Sequence, residues 1–177
     1  SSSAFFIVLT VLSKKSKLIL KNININPSRI GIISILKKMN AKIIFINKRN
    51  YKGEKIADIK VEGGRLIRSI NCPSTLNSGA IDEFLIIFLV AAKSKGISTF
   101  RDLAELNQKE SPRLIWGSKI LNYMGIRTKL TRNSIKIYGN PNLVIINNIQ
   151  IKNFLKDHRV FMMSVIAALT FKTEGNW

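Results

Sequence analysis

Phe84-Leu85-Ile86-Ile87-Phe88-Leu89-Val90-Ala91-Ala92 is apolar at every position. The run is flanked by Asp82-Glu83 and Lys93, and it is far shorter than the roughly 20 residues that a membrane-spanning helix needs. A helix that is apolar all round has no face for water and belongs in a core. The stretch therefore predicts a short buried helix. Two further runs repeat it, Phe5 to Leu12 and Phe161 to Leu169. Their leading phenylalanines stand at positions 5, 84 and 161, a spacing of roughly 80 residues that is longer than a solenoid repeat and suits a repeated small α/β unit.

Between the buried runs lies a second, amphipathic pattern, Arg29 to Met39 and again Arg113 to Met124, with Ile-Leu-x-x-Met in both copies (Ile35, Leu36, Met39 and Ile120, Leu121, Met124). Pro27-Ser28 and Ser111-Pro112 supply helix-start signals, the second with Ser as the expected N-cap and Pro as the first helical residue. Gly125 is the expected stop. Short alternating or β-branched runs at 17–20, 42–46, 56–61, 97–101, 129–131, 134–138 and 143–146 read as strands, with Arg132-Asn133 as a hairpin turn. The expected fold class is α/β, built from repeated βαβαββ units with sheet on one side and paired helices on the other.

Each buried run opens with polar residues: Ser1-Ser2-Ser3, then Asp82-Glu83, then Asp157-His158-Arg159. If the units pack around a pseudo-threefold axis with these helices parallel, their N-termini converge, and converging helix N-termini favour anions. Arg159 sits where the helix dipole disfavours a cation, which points to an anion that offsets it. A fourth cluster, Lys109-Glu110-Ser111-Pro112-Arg113, enters an amphipathic helix.

The chain has 177 residues, 46% of them hydrophobic, enough for a real core. One cysteine, Cys72, excludes a disulfide framework, and with one histidine, His158, leaves too few soft ligands for a transition metal. A reducing, metal-free setting is expected. The positive charges Lys14, Lys15 and Lys17 follow the first apolar run, whereas a signal peptide carries them before it. The net charge of +19 invites a nucleic-acid reading. Against it, the lysines form no run of five and do not alternate with aromatics.

Seven motifs in order give the chain a resemblance to the 5-enolpyruvylshikimate-3-phosphate synthase family. They are Ser1-Ser2-Ser3-Ala4-Phe5-Phe6, Asn26-Pro27-Ser28-Arg29-Ile30-Gly31, Ile56-Ala57-Asp58-Ile59, Ile81-Asp82-Glu83-Phe84, Ala104-Glu105-Leu106, Lys109-Glu110-Ser111-x-Arg113 and Asp157-His158-Arg159. The resemblance implies an enzyme that transfers the enolpyruvyl group of phosphoenolpyruvate to the 5-hydroxyl of shikimate 3-phosphate, in aromatic amino-acid biosynthesis. It implies the inside-out α/β barrel of enolpyruvyl transferases, with residues 1–177 forming most of the C-terminal half. The N-terminal domain and the extreme C-terminus would lie outside this stretch, and the chain by itself would be inactive.

By the same resemblance, Asp82 accepts the proton of the attacking hydroxyl, and Glu110 protonates the methylene carbon. Arg113 and Arg159 hold the donor carboxylate, Lys109 contacts both ligands, and His158 lies behind them; the resemblance implies no metal or organic cofactor and a cytoplasmic setting. Pro112 stands where the family usually has Asp, and Asn107-Gln108 replaces a usual Arg-Val; both touch the loop that carries Glu110. The sister enzyme that acts on UDP-N-acetylglucosamine is the nearest alternative, opposed by the Lys109 to Arg113 and Asp157 to Arg159 motifs. A basic nucleic-acid-binding module is the alternative from a different class.

Overall fold

The computed structural model describes residues 2–151 and 156–177. Helix α1 (Ser2–Val11) leads into strand β1 (Lys17–Asn24), helix α2 (Gly31–Lys38) and the hairpin β2 (Lys42–Tyr51) and β3 (Glu54–Glu62). The same series then repeats: α3 (Phe84–Ala92), β4 (Gly96–Phe100), α4 (Arg113–Met124), β5 (Arg127–Leu130) and β6 (Ile135–Gly139). A third round begins with β7 (Val144–Ile145), α5 (His158–Thr170) and β8 (Lys172–Thr173). The unit observed twice is thus α-β-α-β-β. The sheets run β1-β3-β2 and β4-β6-β5, both antiparallel.

The expected units read βαβαββ, and the structure supplies the extra strand in reduced form. Arg68 and Asn71 bridge in parallel to Lys95 and Thr99 beside β4, and β7 pairs in parallel with β8. In each case the segment before a buried helix lies beside the strand that follows it. The expected hairpin turn is present, with Thr131 N–H donating to Ser134 O.

Every residue of α3 is buried, as the opening run predicts. Phe84, Phe88 and Phe100 pack with ring centroids 5.3 to 6.1 Å apart, tying α3 to β4. A fully buried side chain of this size contributes about 1.5–3 kcal/mol, so α3 anchors the core. The other two apolar helices differ from expectation. Phe6 on α1 and Phe161 and Leu169 on α5 are exposed, because α3 has the other helices around it while α1 and α5 each bury one face. No helix among the described residues is long and apolar enough to cross a membrane.

The ends of the three apolar helices show that they run parallel. Lys93, at the C-terminus of α3, sends its ammonium to Leu12 O at 3.2 Å beside the end of α1 and to Thr170 O at 2.5 Å on α5. One cation, carried at the end of α3, thus meets the partial negative charge at the ends of α1 and α5. Burial, with Lys14 nearby, pushes its pKa below the usual lysine value. The opposite ends, where the polar clusters stand, face the other pole.

The amphipathic helices start differently from their sequence signals. Helix α2 begins at Gly31 after Ile30, with no side-chain cap from Ser28. Gly31 presses on the backbone of Gly79, where a β-carbon would collide, so the first turn is set by that close approach. Helix α4 ends as expected at Gly125, in the left-handed conformation at φ 104°.

Candidate active site

Four polypeptide segments meet at the N-terminal pole. The tight turn 78–83 delivers Asp82 and Glu83 to the start of α3, and the loop before α4 brings Lys109, Glu110 and Ser111. Arg113 is the first residue of α4, while Asp157 caps α5, whose first two residues are His158 and Arg159.

Arg113 is the centre of the cluster. Its side chain is only 3% exposed, and each guanidinium nitrogen has an acid: Nε donates to Asp157 Oδ2 at 3.0 Å, Nη1 to Asp82 Oδ1 at 3.4 Å, and Nη2 to Glu110 Oε2. The three acids are unlike. Asp157 is 1% exposed, whereas Asp82 and Glu110 are 50% and 57% exposed. Asp157 is therefore a fixed counterion, and the other two have room to swing into water. Lys109 completes the group, 3.8 Å from Asp82 and 3.4 Å from Glu105.

Asp157 makes more contacts than a plain N-cap needs. Oδ1 accepts the Arg159 N–H at 3.0 Å, which caps the helix, and Oδ2 also accepts the Ser111 hydroxyl at 2.6 Å. Burial alone would push its pKa up. The hydrogen bonds from Arg113 and Ser111, the Arg113 charge and the Arg159 amide together outweigh that and hold it below the ordinary carboxylate value.

Ser111 is consequently not the N-cap of α4, because its hydroxyl is spent on Asp157. The cap comes from an unexpected residue. Asn107 Oδ1 accepts from Leu114 N–H at 3.1 Å and Ile115 N–H at 3.3 Å, so Asn107 closes the first turn of α4. Only its spacing before the helix hints at this in sequence, since caps ordinarily stand adjacent to the first turn.

Arg159 is also partnered. Its Nη1 donates to Glu83 Oε2 at 2.9 Å, and both side chains are mostly buried. The anion that offsets a cation at this helix start is thus in part Glu83, a residue that the sequence reading placed at the site without a role. Nε and Nη2 of Arg159 donate to no described residue. His158 is exposed, and its ring makes no hydrogen bond to a described residue. Ser1 lies outside the described residues, so the first polar cluster is only partly visible. Ser3 and Glu83 line a common cavity, which brings the start of α1 to the same pole.

The structure therefore brings together Asp82, Lys109, Glu110, Arg113 and Arg159, drawn from positions up to 77 residues apart. Two guanidinium forks, an ammonium and two half-exposed carboxylates suit binding of a small polyanion with proton transfer beside it.

Among solved structures, the chain shares its fold with the enolpyruvyl transferase NikO from Streptomyces tendae, at a TM-score of 0.69 and 13% identity over 98% of this chain and 37% of that one. The architecture is thus that of the enolpyruvyl transferases. The chain belongs to the EPSP synthase (3-phosphoshikimate 1-carboxyvinyltransferase) family, whose model matches residues 1–174. It is similar to EPSP synthase from Acinetobacter baumannii, with a TM-score of 0.88 and 35% identity over 98% of this chain and 39% of that one. It is also 38% identical over 173 residues to the 3-phosphoshikimate 1-carboxyvinyltransferase of Ruthia magnifica. That match covers 96% of this chain and 38% of the relative, so the chain spans well under half the length of the proteins it resembles.

Proposed function

We propose that this chain forms one side of an active site that transfers the enolpyruvyl group of phosphoenolpyruvate to the 5-hydroxyl of shikimate 3-phosphate, releasing phosphate. In this reading it is most of the C-terminal half of a two-domain cytoplasmic enzyme whose other half closes over the substrates. The observation that carries the reading is the convergence of Asp82, Lys109, Glu110, Arg113 and Arg159 at one pole, in a chain of this family.

The chemistry assigns each group a task. The 5-hydroxyl oxygen bonds to C2 of phosphoenolpyruvate as Asp82 takes the hydroxyl proton and Glu110 gives a proton to C3. The tetrahedral adduct then loses phosphate from C2 while Glu110 recovers the C3 proton, restoring the double bond, and the departing phosphate takes up the proton held by Asp82. Arg113 and Arg159 hold the donor carboxylate through paired N–H donors, and Lys109 bridges the two ligands. His158, exposed at the start of α5, lies behind them. In the free chain Asp82 and Glu110 rest on Arg113. The donor carboxylate takes their place on that guanidinium, which frees both acids for proton transfer at the moment the substrate arrives.

The test is phosphate release in the presence of both substrates. The chain alone is expected to show negligible turnover. Substituted for the matching segment of the Ruthia magnifica relative, it is expected to restore activity, and Glu110→Gln in that chimaera to lower kcat by about a hundredfold or more. Normal turnover by the isolated chain would refute the half-site reading, and an inactive but folded chimaera would refute the assignment.

A further inference from the structure

Asp82 and Glu83 are neighbours in sequence, yet they reach different arginines on different helices. Asp82 meets Arg113 at the start of α4, and Glu83 meets Arg159 at the start of α5. They also differ in freedom: Asp82 is half exposed, while Glu83 is only 14% exposed against an Arg159 side chain that is 17% exposed. Asp82 can leave its arginine when an anion arrives. Glu83 is enclosed with its partner and stays.

A guanidinium in the first turn of α5 is opposed by the helix dipole. Left to itself it would turn away from the pole toward water, since a long arginine side chain has many rotamers. Glu83 prevents this by accepting one edge of the guanidinium through Nη1, while Asp157 fixes only the backbone N–H of Arg159. The edge formed by Nε and Nη2 is left with no bond to a described residue, and a carboxylate engages an arginine edge-on through two parallel N–H donors.

We infer that Glu83 is a positioning residue for the donor site: it grips one edge of Arg159 so that the opposite edge is presented, already oriented, to the carboxylate of phosphoenolpyruvate. This rests on the donor role proposed above for Arg159. It adds that binding a negatively charged substrate here depends on a resident negative charge, because orientation outweighs the repulsion between the two. Freezing a free, rotamer-rich side chain on binding costs about three- to tenfold in affinity, and Glu83 removes that cost in advance.

Titration of phosphoenolpyruvate into the Ruthia magnifica chimaera, with shikimate 3-phosphate present, tests this, followed by 15N NMR of the arginine side chains, with Glu83→Ala, Glu83→Gln and Arg159→Gln compared at matched thermal stability. Glu83→Ala is expected to raise Kd about three- to tenfold and to broaden or shift the Arg159 Nε–H signal. Glu83→Gln is expected to recover most of the affinity, because its amide oxygen still accepts from Nη1 without carrying charge. If Glu83→Ala binds as well as or more tightly than the parent, Glu83 competes with the substrate, and the inference is overturned. It is overturned equally if Gln is no better than Ala. The underlying reading has a separate failure: a parent chimaera that does not bind, or an Arg159→Gln chimaera that binds as the parent does, removes Arg159 from the donor site. Weak binding by Arg159→Gln beside unaltered binding by Glu83→Ala sinks the positioning role alone.

Discussion

Asp58 and Asp157 are the two buried aspartates among the described residues, and each accepts a backbone amide together with side-chain donors. Their partners come from different distances. Everything that holds Asp58 lies in one sheet: Asn22 N–H at 3.0 Å, Asn47 Nδ2 at 2.9 Å, and Lys21 and Arg49 at 3.4 and 3.6 Å. Asn22 and Asn47 take left-handed backbone conformations, φ 57° and 54°, where the β1–β3 and β2–β3 registers slip. Asp58 thus fastens two facing β-bulges and shapes one sheet. Asp157 joins α5 to the α4 entry loop and to an arginine that is itself buried. A carboxylate among exposed cations is a local fastening, whereas one paired with a buried arginine carries a site.

The sharpest way to break this comparison is Asp157→Ala. It leaves Arg113 buried without its fixed counterion and uncaps α5, so urea unfolding should show a loss of about 3–5 kcal/mol. Phosphoenolpyruvate binding should fall with it. A loss under about 1 kcal/mol, no more than an ordinary hydrogen bond contributes, would put Asp157 on the same footing as Asp58.

Asp58→Asn should cost stability at neutral pH, and the cost should fade in acid. Asn47, then the Asn22 amide, lower the pKa of Asp58 from 3.8 to about 2 in the fold despite some desolvation. A depressed carboxylate contributes stability above its unfolded pKa and loses it as pH falls through the folded one. The parent Tm should therefore drop between about pH 4 and pH 2, and the variant's Tm should be flatter over that window. At neutral pH the variant should bind phosphoenolpyruvate as the parent does; weakened binding would mean that the sheet, too, feeds the site.

The smallest effect is expected from Lys21→Ala. Lys21 is 66% exposed, and an exposed partner of a carboxylate held by other donors contributes little. Its Tm at neutral pH should match the parent within error, and the difference should not grow at low salt. A clear loss would show that the Asp58 fastening depends on charge rather than on its amide donors.

Much of the fold is legible because burial leaves a periodic trace. The run at 84–92 reads as buried, and all of it is. The strand runs fall on β1 to β7, and Gly125 stops α4 where expected. Features without a periodic trace are harder. Nothing in Lys21-Asn22 or Asn47-Lys48 announces paired bulges around Asp58. Ser111 reads as a cap, yet Asp157, 46 residues away, takes its hydroxyl, and Asn107 does the capping. The apolar character of α1 and α5 does not tell which of their faces α3 covers.

By itself the sequence determined three apolar helices with polar starts, the strands between them, and the acids and arginines that stand at those starts. Each of these follows from local composition, since backbone propensity and burial act over a turn or a strand. Only the tertiary structure decided which acid meets which arginine. Adjacent Asp82 and Glu83 diverge to Arg113 and Arg159, and Asp157 crosses to Arg113, because charge pairing depends on distances of a few ångströms. Those distances exist only once the parallel helices, drawn together at one end by Lys93, have brought their N-termini to a common pole.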